Sequence, residues 1–147
     1  MFSRILIPTD GSALAGKGIE AGVALAKRLG ARVVGYHAME PIERIYYLQG
    51  DGVRDADVQA IRRRLRELGE HYLAGLGSLA AGRQVACETM ITDSAEPFRG
   101  IIDAAREQRC DLICMASHGR GEVASALLGN VTQKVLAHSK VPVLVVR

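Results

Sequence analysis

The residues best suited to chemistry lie between positions 112 and 132, LICMASHGRGEVASALLGNVT. An apolar run, residues 112–116, stops at Ser117-His118-Gly119-Arg120-Gly121, and a second glycine group, Gly129-Asn130-Val131-Thr132, follows within a helical pattern. Backbone N–H groups in a glycine-rich loop and in the first turn of a helix have no intrahelical partner, so a strand, loop and helix in this order form a cradle for phosphate oxygens. Asn130 and Thr132 can add side-chain donors, and Asn130 is also suited to capping the helix. Arg120 offers a charged fork to phosphate, and His118 is within the same loop. A nucleotide is therefore the first ligand to consider. Standard fingerprints are missing: the chain has no GxxxxGK[ST], and no GxGxxG follows its first strand pattern.

Other reactive residues carry less. Cys87, Cys110 and Cys114 have no metal-ligand spacing, and Cys87 and Cys114 fall in apolar runs as small core residues. His37, His71, His118 and His138 occupy separate segments without an HExxH pattern, so a zinc site is not expected. Ser117 adjoins His118, but no acidic residue can be assigned by spacing to orient that histidine. The sequence makes no case for an efficient enzyme, and any nucleotide hydrolysis is expected to be slow.

Five apolar runs supply the frame: residues 4–8, 32–39, 84–91, 112–116 and 141–146. Helical patterns separate them, which is how parallel strands covered on both faces read. The first run ends at Thr9-Asp10-Gly11-Ser12, and a helix pattern continues through about Arg28. Val58, Ile61, Leu65, Leu68 and Tyr72 form a helical stripe, with Arg62, Arg63, Arg64 and Arg66 on the remaining surface. That arginine run reads as a solvated face, and no nucleic-acid partner is expected. Phe98, Ile101, Ile102 and Ala105 mark the next helix, with Glu96-Pro97 at its start. Val123, Leu127, Leu128, Val131 and Val135 mark the last one. Gly129 interrupts it, which points to a break between two helical pieces or to close approach of a ligand. Residues 40–57 show no clear period and are read as a mobile excursion.

The 147 residues, 48% hydrophobic, suffice for one core and one α/β domain, residues 1–147. Net charge is only +3, from 19 basic against 16 acidic residues, which is weak support for a polyanion partner. No apolar run approaches a membrane span and no secretory pattern opens the chain, so a soluble, cytoplasmic protein is expected.

The opening RILIPTDGS and the segment MASHGRGEVASALLGNVTQKVLAHSKVPVLVVR together resemble the universal stress protein family over nearly the whole chain. In that family's nucleotide-binding branch the loop reads glycine, two residues, glycine, nine residues, then glycine with serine, threonine or asparagine. Here Gly119 is the second glycine, nine residues follow, Gly129-Asn130 closes the pattern, and Ala116 replaces the first glycine. The resemblance implies an open five-stranded parallel sheet of order 3-2-1-4-5 with helices on both faces, Rossmann-like. A ligand would then bind where the strand order reverses, at the ends of strands one and four.

By the same resemblance Pro8, Thr9 and Asp10 line that site, with Asp10 bonding a ribose or helping to hold a divalent metal. Met39 and Met115 become apolar walls for adenine. Ala116, His118, Gly119, Arg120, Gly129, Asn130, Val131 and Thr132 surround the phosphates. The implied ligand is ATP, or ADP or AMP, with magnesium, and the implied role is stress-response regulation. Two alternatives stay open: a stress protein without nucleotide, acting through dimerisation and partner binding, and an enzyme of adenylate chemistry. The resemblance further implies a homodimer through the last strand, Val143–Val146, where Pro142 limits the pairing.

Overall fold

Ile5, Leu6 and Ile7 have no exposed surface, because the strand they form is the middle of a five-stranded sheet. In the computed structural model, which describes residues 1–49, 54–118 and 128–147, ten elements follow one another. They are β1 (Arg4–Pro8), α1 (Ala13–Leu29), β2 (Arg32–Met39), α2 (Ile42–Gln49), α3 (Asp55–Gly82), β3 (Cys87–Asp93), α4 (Pro97–Glu107), β4 (Leu112–Ala116), α5 (Asn130–His138) and β5 (Val143–Val146). The sheet order is β3-β2-β1-β4-β5, and every pairing is parallel. This is the Rossmann-like order that the family resemblance implies.

Alternation along the strands divides the core in two. Ile5, Ile7, Val33, Leu112 and Cys114 pack with Val23, Ala26, Leu76 and Ala80 of α1 and α3. Leu6, Val34, Tyr36, Ile113 and Met115 pack with Ile101, Ala104, Ala105 and Val135 of α4 and α5. Each large aliphatic buried this way contributes about 1.5–3 kcal/mol. Cys110 and Cys114 belong to these cores, and burial pushes both thiols up to about 11.

Three elements differ from the sequence reading. The stretch 40–57 is not irregular throughout, since residues 42–49 form α2. Its eight residues are too few to display a helical period, and Arg44 ties it back to Glu40 at 2.9 Å. β3 begins at Cys87 rather than residue 84 and reaches Asp93. Gln84 takes a positive φ of 57° and Val85 N donates to Ala80 O, so both residues close α3 instead of entering the sheet. On α3 the buried positions are Val58, Gly69, Leu73, Leu76 and Ala80, while Leu68 is 40% exposed. The helix meets β2 through Gly69, Leu73 and Leu76, which lie against His37 and Gly35 and rotate the stripe away from Leu68.

Gly129 resolves into a helix boundary. It is the N-cap of α5, at φ −61° and ψ 154°. Gly119, Arg120, Gly121, Val123 and Leu127, named above, lie outside the described residues. Among the described residues no helix is long and apolar enough to cross a membrane.

Two glycines of α1 test the packing in opposite directions. A Cβ on Gly18 would fall 2.9 Å from the backbone nitrogen of Ala116, whereas one on Gly16 meets nothing within 4 Å. Gly16→Ala is expected to raise stability by about 0.5–1 kcal/mol through helix propensity. Gly18→Ala is expected to lower it by about 1–3 kcal/mol because α1 must move off β4. Urea denaturation midpoints decide; a Gly18→Ala midpoint at or above the parent's would contradict the close approach.

Candidate functional site

β1 and β4 are paired only through Ile5 with Leu112 and Leu6 with Ile113. Beyond those pairs Pro8 stays with Tyr36 of β2, and Ala116 stays with Val146 of β5. The two central strands therefore part at their carboxyl ends, where the sheet order reverses, and a crevice opens between them. A cavity of about 260 Å³ lies there. Pro8, Thr9 and Asp10 leave β1 along one side, and Met115, Ala116 and His118 end β4 on the other. Tyr36, His37 and Ala38 of β2 line it too, as do Pro97 and Ile101 of α4, Val131 and Thr132 of α5, and Ala15 of α1.

On the β1 side the backbone turns sharply. Thr9 N donates to Tyr36 O at 2.9 Å, extending the ladder by one residue. Thr9 Oγ1 accepts from Gly11 N at 3.2 Å, and Asp10 Oδ1 accepts from Ser12 N at 2.9 Å. Ser12 then caps α1 by accepting from Ala15 N at 3.1 Å. Gly11 holds φ at 77°, and a Cβ there would overlap the Tyr72 ring, so glycine is required twice over.

The β4 side is knit to α5 and β5. Thr132 Oγ1 donates to Ala116 O at 3.0 Å, and Gly129 N donates to Ser117 O at 2.8 Å. Ser117 N donates to Val146 O at 2.8 Å. Through these bonds the start of α5 is fixed over the end of β4, with Val131 and Thr132 at the cavity wall. Gly129 brings no side chain to cap the first turn of α5. Ser117 Oγ lies 3.0 Å from His118 Nδ1, and Ser117, 4% exposed, is not among the residues that line the cavity.

Most of the site anticipated from the sequence comes together here: Pro8, Thr9, Asp10, Met115, Ala116, His118, Val131 and Thr132 all line the cavity. Met39 does not. It is 2% exposed, and the wall that β2 contributes comes from Tyr36, His37 and Ala38 instead. Asn130 is the first residue of α5 rather than its cap. Gly119 and Arg120 lie outside the described residues. Ala116 sits on β4 without a positive φ, so its methyl group meets no backbone strain.

Residues that sequence reasoning passed over include Tyr36 and His37. Tyr36 is fully buried, burial pushes its hydroxyl pKa up, and that hydroxyl bonds Thr92 Oγ1 at 2.7 Å. Gly100 makes room for it, since a Cβ there would overlap the Tyr36 hydroxyl. The available signal was a pair of polar-tipped side chains, Tyr36 and His37, inside an otherwise apolar strand. Pro97 and Ile101 carried no signal beyond helix periodicity.

A family model described as "Universal stress protein family" matches residues 1–147. A Thermus aquaticus protein, described as the universal stress protein in the QAH/OAS sulfhydrylase 3' region, is 36% identical over 147 residues, the whole of both chains. Universal stress protein YxiE of Bacillus subtilis is 32% identical over 149 residues, again covering both in full. Among solved structures, that of the hypothetical protein MJ0577 of Methanocaldococcus jannaschii superposes with a TM-score of 0.82 at 24% identity, covering 99% of this chain and 96% of its own.

The bond from Thr132 to Ala116 O is expected to hold the α5 wall in place. Thr132→Val removes the donor from a buried carbonyl and should cost about 1–3 kcal/mol. Thr132→Ser keeps the hydroxyl and should cost clearly less. Chemical denaturation of both variants checks this, and equal losses would deny the hydroxyl its role.

Proposed function

This chain belongs to the universal stress protein family, and we propose that it is an adenine-nucleotide-binding regulator of a stress response, holding ATP, ADP or AMP. The observation that carries the reading is the crevice between β1 and β4, with an apolar inner wall and the first turn of α5 at its rim. Met115, Ile101, Pro97 and Ala38 give a flat apolar slot suited to a base. Asp10 stands beside it, where its carboxylate can accept from a ribose hydroxyl. Val131 and Thr132 at the start of α5 bring backbone amides to the cavity wall, where they suit phosphate oxygens, and the family pattern would assign Gly119 and Arg120 to phosphate as well. Related structures support this chemistry: one is of a universal stress protein in complex with cAMP, and another is of an Archaeoglobus fulgidus universal stress protein in complex with dAMP.

Magnesium fits the donors present in one way. Among the described residues no group of three or more His, Cys, Asp or Glu could hold a metal ion. Mg²⁺ commonly takes one carboxylate and fills its remaining positions with phosphate oxygens and water, and Asp10, which lines the cavity, would be that carboxylate. On this reading the site contributes binding and orientation, and the bound nucleotide acts as a signal. The protein works in the cytoplasm on this reading.

Isothermal titration with Mg-ATP and with AMP tests the proposal. Binding in the micromolar range is expected, with Asp10→Ala and Gly129→Val each weakening it about tenfold, or about 1.4 kcal/mol, at unchanged circular dichroism. Ala116→Gly should bind equally well or better. No heat from either nucleotide at millimolar concentration would replace this reading with a stress protein that works without nucleotide.

The same reading includes a homodimer through β5. Val143–Val146 is an outer strand of the sheet, Leu144 on it is 40% exposed, and Leu136 on the neighbouring α5 is 42% exposed. An apolar strand edge of this kind is protected when it pairs with its own copy across a two-fold axis. Sedimentation velocity is expected to show a dimer at micromolar concentration, and Leu144→Asp is expected to return it to a folded monomer. A parent protein that sediments as a monomer throughout that range would rule out the contact.

A further inference from the structure

His37 lines the cavity, yet its ring nitrogen Nδ1 is turned to the protein and lies 2.8 Å from Thr9 O. A carbonyl only accepts, so Nδ1 carries the proton and donates, and the tautomer is fixed by the partner. Thr9 is 6% exposed and its amide completes the last rung of the β1–β2 ladder. Its carbonyl is therefore taken by a side chain at the residue where the chain must leave the sheet and turn into the crevice. Immediately afterwards come the two side-chain bonds of that turn, Thr9 Oγ1 from Gly11 N and Asp10 Oδ1 from Ser12 N.

The ring of His37 is itself held from α3. A Cβ built on Gly69 would fall 2.6 Å from His37 Cδ2 and 3.2 Å from Nε2, so the imidazole fills the space that this glycine leaves. One turn further along the same face, Tyr72 meets His37 edge to face, with centroids 5.5 Å apart and planes at 74°. Tyr72 also covers Gly11, whose missing Cβ is what admits the ring. Gly69 and Tyr72 thus reach the turn at residues 9–11 by two routes, one through His37 and one directly.

We infer that His37 is a positioning residue for the ligand-facing turn, its Nδ1–H clamping Thr9 O so that Asp10 is presented to the crevice, with Gly69 and Tyr72 of α3 bracing the clamp. The inference rests on the nucleotide reading only for its effect on affinity. The clamp itself is a property of the unliganded chain.

The test compares His37→Phe, which keeps a ring and loses the donor, with His37→Asn, whose amide nitrogen can stand where Nδ1 stands. Two readouts are taken: affinity for Mg-ATP and AMP by calorimetry, and amide exchange of Gly11 and Ser12 by NMR in the absence of nucleotide. His37→Phe is expected to weaken nucleotide binding about tenfold and to accelerate both amides at least tenfold. His37→Asn is expected to stay within about threefold of the parent in both. Parent-like exchange in His37→Phe, or an Asn variant as impaired as the Phe variant, would overturn the clamp. A parent that binds neither nucleotide ends the nucleotide reading, and amide exchange then decides the clamp alone. If His37→Phe does not fold, Gly69→Ala takes its place. That variant displaces the ring and leaves the donor intact, so it should accelerate both amides at least fivefold; unchanged rates would overturn the inference.

Discussion

The brevity of the β1–β4 pairing governs this molecule. Two residue pairs join the strands, and then each follows its outer neighbour. A parallel sheet with its order reversed at the centre cannot carry a crossover helix over both sides of that reversal, so the carboxyl ends of the two middle strands are left uncovered. Among the described residues, those proposed to hold a ligand are attached at this opening. Thr9, Asp10 and Gly11 turn away from it on one side, and Ser117 and His118 leave it on the other. The helices that would otherwise close it, α4 and α5, arrive with their N-termini at the rim.

An opening of this kind would collapse if its edges were loose, and both edges are tied down by different means. On the β4 edge the ties are backbone and hydroxyl bonds: Ala116 O, Ser117 O and Ser117 N are each engaged by α5 or β5. These fix the last helix relative to the strand that is proposed to pair between subunits. On the β1 edge the ties are side chains reaching from β2 and α3, with glycines at 11 and 69 providing the space. A buried carbonyl without a partner costs about 1–3 kcal/mol, so a crevice edge that must leave the ladder needs such substitutes. The sequence provides them from distant positions.

That division explains what could be read in advance. The five strands were legible from apolar runs, which are local signals, whereas strand order and the location of the crevice, with eight residues that line it, followed from the family resemblance. Met39 was misplaced as a wall residue because strand ends were counted without knowing which way each side chain pointed, and a one-residue change flips the face. His37 was weighed only as a metal ligand and not as a crevice residue, for a related reason. A single histidine in an apolar strand has no spacing partner in sequence, and its partners Thr9, Gly69 and Tyr72 are brought to it only by the fold. The eight residues of α2 were missed because periodicity needs more than two turns to show itself.

Ala116 illustrates how a departure from a motif should be weighed by geometry. A glycine is indispensable where φ is positive or where a backbone must come within contact distance. Ala116 is a strand residue without positive φ at the cavity wall. The close approach at this junction is made from the other direction, by Gly18 of α1 against the Ala116 nitrogen. The steric requirement on β4 is therefore met by a residue about a hundred positions away in the sequence, and the methyl group at 116 costs only the volume it occupies in the crevice. On the nucleotide reading proposed above, its effect on a ligand is one of shape, confined to whatever part of the ligand lies against the end of β4.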